Sequence, residues 1–319
     1  MRTLSAKQKS RAAECIAIAY SHYSAGLNLI KSGDYAFAIS KFYYTAVFAA
    51  QASCLELSGN SKKHKYWKGQ FNKHFGSGSS WVPKSYTKML NKLSDLRDEA
   101  DYNGTLSINE KDTNKYKTQV NNLLKKVRNN TPLLQYPEFI EGLIKKEKVI
   151  LALEFDYYCP KSYIHKERIQ FQIQSEKYTQ KTVKSLVKSG KTSINLIKAS
   201  KPENYVLGWN NRLGQNATAY LLFLDIDEND EVKVKSALKK RKGWLFKSGN
   251  GYHFVSKEIY SSSKQWQYRL NQASKSKQLK NLIDPKHVEF SLKRGYATLR
   301  TDSSPVKEFL PFLCWDNSK

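Results

Sequence analysis

Leu221-Leu222-Phe223-Leu224-Asp225-Ile226-Asp227 is an apolar run that ends in two carboxylates, and beyond it comes Lys247-Ser248-Gly249-Asn250-Gly251-Tyr252-His253-Phe254-Val255. Residues two apart in an extended strand share a face, so Asp225 and Asp227 are expected side by side while Ile226 turns into the core. Two like charges at that spacing repel unless a cation offsets them, and hard oxygen donors favour Mg²⁺ or Mn²⁺ over softer metals. The plain alternative is a strand end running into an Asp-rich turn, because Asp227-Glu228-Asn229-Asp230 also suits a loop.

The second stretch reads as a neighbouring strand. Gly249 and Gly251 let backbone approach a ligand closely, and Ser248 and His253 supply a hydroxyl and an imidazole of the kind that grips phosphate oxygens. The basic segment Lys233 to Lys242 between the two stretches reads as a helix. The expected unit is therefore strand-helix-strand or strand-helix-hairpin. A third element, Ile283-Asp284-Pro285-Lys286-His287-Val288, is followed by Arg294-Gly295-Tyr296-Ala297-Thr298-Leu299-Arg300 and by Thr301-Asp302-Ser303-Ser304-Pro305-Val306-Lys307.

An acid pair, a serine and histidine, a single acid and a basic tail, in that order, resemble the archaeo-eukaryotic primase superfamily, which includes the primase-polymerases. The resemblance spans residues 140-319. It implies that Asp225, Asp227 and Asp284 bind catalytic Mg²⁺ or Mn²⁺, and that Ser248, Gly249, Gly251 and His253 contact the triphosphate of an incoming nucleotide. It also implies that Arg300 and Lys307 are the basic residues that follow the third motif. The serine precedes the histidine by five residues where the family pattern has two. The activity implied is two-metal transfer of nucleotides from NTP or dNTP to a 3′-hydroxyl on a single-stranded DNA or RNA template.

Upstream, Ala12, Ile16, Ala19, Tyr20, Tyr23, Leu27 and Ile30 recur at three- and four-residue steps and predict a helix over 5-31. Ser32-Gly33-Asp34 ends it and starts a second helix over 35-58, apolar on much of its circumference and hence central to a bundle. Further helices are expected at 84-101 and 109-130, after a basic Gly- and Ser-containing stretch at 59-84. Gly33-Asp34-Tyr35, Tyr43-Tyr44-Thr45-Ala46 and Arg97-Asp98-Glu99-Ala100-Asp101-Tyr102 make this part similar to the HEPN superfamily, many of whose members are RNases or toxins. In that family Arg-x4-6-His cleaves without metal, usually across a dimer, so the resemblance implies a homodimer. Here Tyr102 stands five after Arg97, and the combination resembles an Arg-x-x-x-Asp-Tyr branch. An ion pair of Arg97 with Asp101, i and i+4 on one helix face, is the structural expectation.

Thr131-Pro132-Leu133-Leu134-Gln135-Tyr136-Pro137 reads as the linker, dividing a helical bundle of four helices (1-132) from a catalytic domain (133-319). In the latter, strands are expected at 149-155, 168-173, 193-198 and 204-209, and helices at 179-191 and 261-280. The fold class is α plus α+β, with a mainly antiparallel sheet.

The 319 residues carry 54 Lys+Arg against 28 Asp+Glu, a formal charge of +26. Up to residue 132 the balance is 21 against 9, and beyond it 33 against 19, so both parts are basic. With 20 Tyr and 6 Trp, this favours a polyanionic partner through counterion release and base stacking; a Lys-rich surface without such a partner is the alternative. Cys15, Cys54, Cys159 and Cys314 form no Cys-x-x-Cys pair, which points to reduced thiols in a cytoplasmic protein. No apolar run is long enough for a membrane span. Two other readings compete: a HEPN-type RNase, toxin or RNA-binding effector whose primase-like part senses nucleotide or nucleic acid, and a catalytically silent binding protein of a mobile element or defence system.

Overall fold

The computed structural model describes residues 6–55, 64–78, 82–103, 107–147, 150, 152–159, 168–179, 181, 205–214, 218–301 and 310–318. It divides into two compact units: Met1–Leu133 with Asn229–Glu231, and Leu134–Glu228 with Val232–Lys319. The first is helical and the second carries an antiparallel sheet, so the architecture is α+β.

The helical unit contains α1 (Ala6–Lys31), α2 (Tyr35–Cys54), α3 (His64–Phe75), α4 (Lys84–Asp98) and α5 (Glu110–Asn130). Gly33, at φ +82°, turns the chain between α1 and α2, a backbone state glycine adopts without penalty. α2 packs on α1, α3, α4 and α5, and its buried residues, from Ala38 to Cys54, wrap around most of its circumference. Four of these are the helices expected from the sequence. α3 is an addition: the basic 59-84 stretch holds a helix because Trp67, Phe71 and Phe75 recur every four residues and are buried against α2. α4 continues into a π-helical turn, Glu99–Asn103, and α5 starts at Asn109, whose side chain accepts a hydrogen bond from the Asp112 N–H at 2.9 Å.

The sheet unit opens with α6 (Tyr136–Lys146), within what the sequence presents as linker and beyond. Pro137 sits in its first turn, where a missing N–H costs nothing, so the proline starts a helix instead of breaking one. Its strands are β1 (Ala152–Tyr158), β2 (Ile169–Gln174), β3 (Val206–Leu213), β4 (Ala219–Ile226), β5 (Gly243–Ser248), β6 (Gly251–Tyr260), β7 (Thr298–Arg300) and β8 (Phe312–Asp316). They run β2-β1-β3-β4-β6-β5-β8, with β7 paired to β3, and the ladders are antiparallel. The strand expected at 193-198 and nearly all of the helix expected at 179-191 lie outside the described residues.

α7 (Glu231–Leu238) joins β4 to β5, α8 (Ser263–Lys275) follows β6, and α9 (Pro285–Arg294) precedes β7. Trp209 on β3 meets Phe223 on β4 at 4.7 Å between centroids, and Tyr136 stacks on Phe246 at 4.1 Å. These buried rings make the core on the α6 side. β3 pairs with β4 at Arg212 and Leu213, then with β7 at Gly208 to Asn210. Buried Asn211 bridges this fork: its Nδ2 donates to the Leu221 carbonyl at 2.8 Å, and its Oδ1 accepts from the Ala297 N–H at 2.9 Å. A polar side chain there satisfies backbone groups that the splitting strands would leave unpaired.

Candidate active site

β4 carries the acid pair as expected in part. Ile226 is fully buried and Asp225 partly buried, but the strand ends at Ile226, so exposed Asp227 lies one residue beyond it. Of the two expected units the structure has strand-helix-hairpin, with the Ser248–His253 stretch containing the turn: Ser248 closes β5, Gly251 opens β6, and the two are register partners around Gly249-Asn250. Gly249 takes φ +63°, which a two-residue hairpin turn demands. A Cβ on Gly251 would land on the Ile226 carbonyl oxygen, so this glycine lets β6 approach the end of β4. Both glycines are thus accounted for by the hairpin, and the five-residue spacing by its turn.

The hairpin brings His253 directly opposite Asp225 in the β4–β6 ladder, with Nε2 3.8 Å from Oδ1. That is too long for a hydrogen bond. The other ring nitrogen, Nδ1, lies 3.2 Å from the Tyr136 hydroxyl. Burial, and after it the Asp225 carboxylate, push the Tyr136 phenol well above its ordinary value, so it remains a hydroxyl. With that hydroxyl donating to Nδ1, the ring proton of a neutral His253 sits on Nε2, facing Asp225. Tyr136 was not identifiable as a site residue, because it stands in the apparent linker, 117 positions from its partner.

The third motif joins the same corner through the backbone. Ile226 and Ile283 form a bridge, the Asp284 N–H donates to the Asp225 carbonyl at 2.9 Å, and the Asp227 N–H donates to the Leu282 carbonyl at 2.8 Å. The Asp284 side chain caps α9, accepting from the Lys286 N–H at 2.8 Å. His287, one turn into α9, is buried and its Nε2 donates to the Phe223 carbonyl at 3.2 Å; burial lowers its pKa and keeps it neutral. Arg300 donates from Nη2 to the Ser248 hydroxyl at 3.0 Å, and both are buried, as is His253. Lys307 lies outside the described residues.

Among the described residues no group of three His, Cys, Asp or Glu is arranged to hold a metal ion. The donor set still suits Mg²⁺ or Mn²⁺. Magnesium demands oxygen ligands, keeps several waters, and is commonly held by one or two carboxylates plus substrate phosphates, without a closed protein cage.

In the helical unit, Arg97 is held by three partners. Its Nε lies 2.7 Å from Asp101, its Nη1 2.9 Å from Asp98, and its Nη2 donates to the Tyr44 hydroxyl at 2.6 Å. The i,i+4 pair expected on an α-helix is present, carried by the π turn. Burial alone would lower the guanidinium's pKa, but the hydrogen bonds to Asp98, Tyr44 and Tyr102 outweigh it and raise it. Exposed Tyr102 covers the guanidinium at 4.7 Å from its ring centroid. A histidine is also near, though not in the motif: His22 of α1 stacks on Tyr44 at 5.3 Å. Only the α1–α2 packing reveals it.

Residues 12–130 match the family model of the HEPN domain. No curated protein matches the chain. No helix among the described residues is long and apolar enough to cross a membrane.

Proposed function

We propose that the chain is a nucleotidyltransferase of the primase-polymerase type, joining a nucleotide from NTP or dNTP to a 3′-hydroxyl on single-stranded DNA or RNA, with pyrophosphate released. One observation carries this reading: three separate stretches converge on the end of β4. Asp225 and Asp227 come from β4 and its end, His253 from the facing strand, and Asp284 from a loop bonded to the Asp225 carbonyl. Carboxylates brought to one corner can hold Mg²⁺ or Mn²⁺ together with substrate phosphates.

In this reading Asp225, Asp227 and Asp284 would hold Mg²⁺ or Mn²⁺, whose chemistry there is to lower the pKa of the attacking hydroxyl and offset charge on the leaving pyrophosphate. His253, fixed by Tyr136, positions Asp225. Arg300 keeps a positive charge beside the site, anchored through Ser248. Fixed charges and dipoles of this kind need no reorganisation during the reaction. Incubating the pure chain with primed and unprimed single-stranded DNA, Mn²⁺ and labelled dNTP or NTP tests the reading. Template-dependent, EDTA-sensitive incorporation supports it, and no incorporation from any substrate pair refutes it.

The HEPN match at 12–130 favours a second reading, in which the helical unit binds or cleaves RNA. Its support is the Arg97 cluster, with Tyr44 and Tyr102 around a guanidinium and His22 stacked on Tyr44. A homodimer through this unit belongs to the same reading. RNA cleavage that persists in EDTA separates it from the first.

A further inference from the structure

A second cluster lies around β3, where Asp156 and Arg300 are both register partners of Gly208. A Cβ on Gly208 would run into Asp156, Tyr158 and Thr298, so the glycine lets these three close together. Three arginines gather here. Arg168 pairs with Asp156, donates to the Thr298 hydroxyl at 3.2 Å and lies 4.4 Å from the Tyr158 ring centroid. Arg212 pairs with Glu154 and stacks on Tyr296 at 4.3 Å, and Arg294, the last residue of α9, stands 5.3 Å from the same ring.

The charges do not balance. Asp156 is paired with Arg168 and Glu154 with Arg212, so three guanidiniums face two carboxylates; Arg294 feels the charge of Asp156 but makes no ion pair with it. A cation in the last helical turn is ordinarily explained by the helix dipole. At this helix end, however, the Gly295 N–H already serves the Ser291 and Leu292 carbonyls. Nε of Arg294, Nε of Arg212 and Nδ2 of Asn210 are buried donors without an acceptor among the described residues, against one such acceptor, Oδ1 of Asp156. Burial, and then the charge of Arg168, push Arg294 down to about 10, as befits a cation held near others in a medium of low dielectric.

Unfilled donors on neighbouring guanidiniums match a tetrahedral oxyanion, which offers several acceptors at once and the missing negative charge. We propose that Arg294, flanked by Arg168 and Arg212, binds a phosphate of a nucleic-acid strand. A triphosphate offers the same chemistry. Arg294 lies seven helical residues, roughly 10 Å at the α-helical rise, beyond His287, and its charge reaches that ring together with those of Asp225 and Asp284, so the cluster borders the candidate site. The inference rests on the preceding reading only for taking a strand as the phosphate source.

Binding of a fluorescent single-stranded oligonucleotide to the full chain, followed by anisotropy across salt concentrations, tests it without reading incorporation. Arg294→Gln is expected to bind several-fold more weakly at low salt and to flatten the plot of log affinity against log salt by about 0.7, the share of one strand phosphate. Arg294→Lys should recover part of the loss, and Asp225→Asn should keep the full slope, so failure of the catalytic reading leaves this result standing. Competition by a nucleoside triphosphate reports the other source: an unchanged competitor affinity in Arg294→Gln assigns the strand, and a weakened one assigns the triphosphate. Unchanged strand and triphosphate affinity in a folded Arg294→Gln overturns the proposal. Should that variant fail to fold, modification of the native chain by phenylglyoxal decides: protection of Arg294 by the oligonucleotide supports the site, and equal modification with and without it refutes it.

Discussion

Asp225 and His253 are register partners across the β4–β6 ladder, with the imidazole Nε2 3.8 Å from the carboxylate, while the far side of the ring meets the Tyr136 hydroxyl at 3.2 Å. The acid is thus backed by two buried groups from different segments, and its outer side remains partly open. The imidazole thus faces one carboxylate oxygen at a separation longer than a hydrogen bond.

If the proposed reading holds, Asp225→Asn and Asp227→Asn should each abolish nucleotide incorporation, on the order of a thousandfold or more, because each would remove an anionic ligand of the metal. Strand affinity should change little, since in that reading basic side chains, and not these acids, meet the phosphates. Measuring incorporation and anisotropy on the same preparations checks both halves, and wild-type rates in either variant would remove the metal assignment.

Tyr136→Phe keeps the ring that stacks on Phe246 and removes only the hydroxyl beside His253. A buried imidazole nitrogen left without its partner costs about 1–3 kcal/mol. Urea unfolding should show a lowered midpoint with an unchanged slope. An unshifted midpoint would mean that the bond is dispensable.

Gly251→Ala and Gly142→Ala should differ in sign. A methyl on Gly251 meets the Ile226 backbone, which cannot move without opening the β4–β6 ladder, so a loss of several kcal/mol is expected. At Gly142, inside α6, an added Cβ meets nothing within 4 Å, and alanine should stabilise by up to ~1 kcal/mol. Thermal melting of the two variants reads the contrast directly.

Arg97→Ala should destabilise the helical unit by roughly 1–3 kcal/mol, because Asp101 and the Tyr44 hydroxyl lose their shared partner. With Tyr102 standing where the motif has its histidine, the usual acid–base pair is incomplete and the full chain should not cleave RNA in EDTA. Cleavage in EDTA that Arg97→Ala and His22→Ala both remove would instead make the helical unit an RNase, with its histidine drawn from α1.

Burial pushes the Cys54 thiol up to about 12, and Cys15 and Cys314 are buried as well, while Cys159 is partly exposed. Only the thiolate reacts with alkylating agents, so Cys159 should be modified first in the native chain. The rate at Cys54 should climb about tenfold per pH unit up to its pKa. Peptide mapping after brief alkylation distinguishes this from uniform labelling.

Local pattern sufficed for much of the architecture. The three- and four-residue recurrence of apolar side chains marks α1, α4 and α5, and the apolar circumference of Tyr35–Cys54 marks α2 as the central helix. The apolar run 221-224 with its terminal acids marks β4 and the candidate site, because a strand buried on both faces leaves an uninterrupted apolar signature. Tertiary structure alone decided the rest. Pattern leaves strand and hairpin open at Gly249-Asn250, and only the register of the hairpin against β4 sets His253 opposite Asp225. Tyr136, from an apparent linker, becomes the partner of that histidine. Arg168, Arg212 and Arg294 are unremarkable as letters in a basic chain and become a cluster through strand order. Periodicity records which face of an element is buried. It does not record which distant element covers that face, and a site assembled from side chains more than a hundred positions apart depends on that second fact.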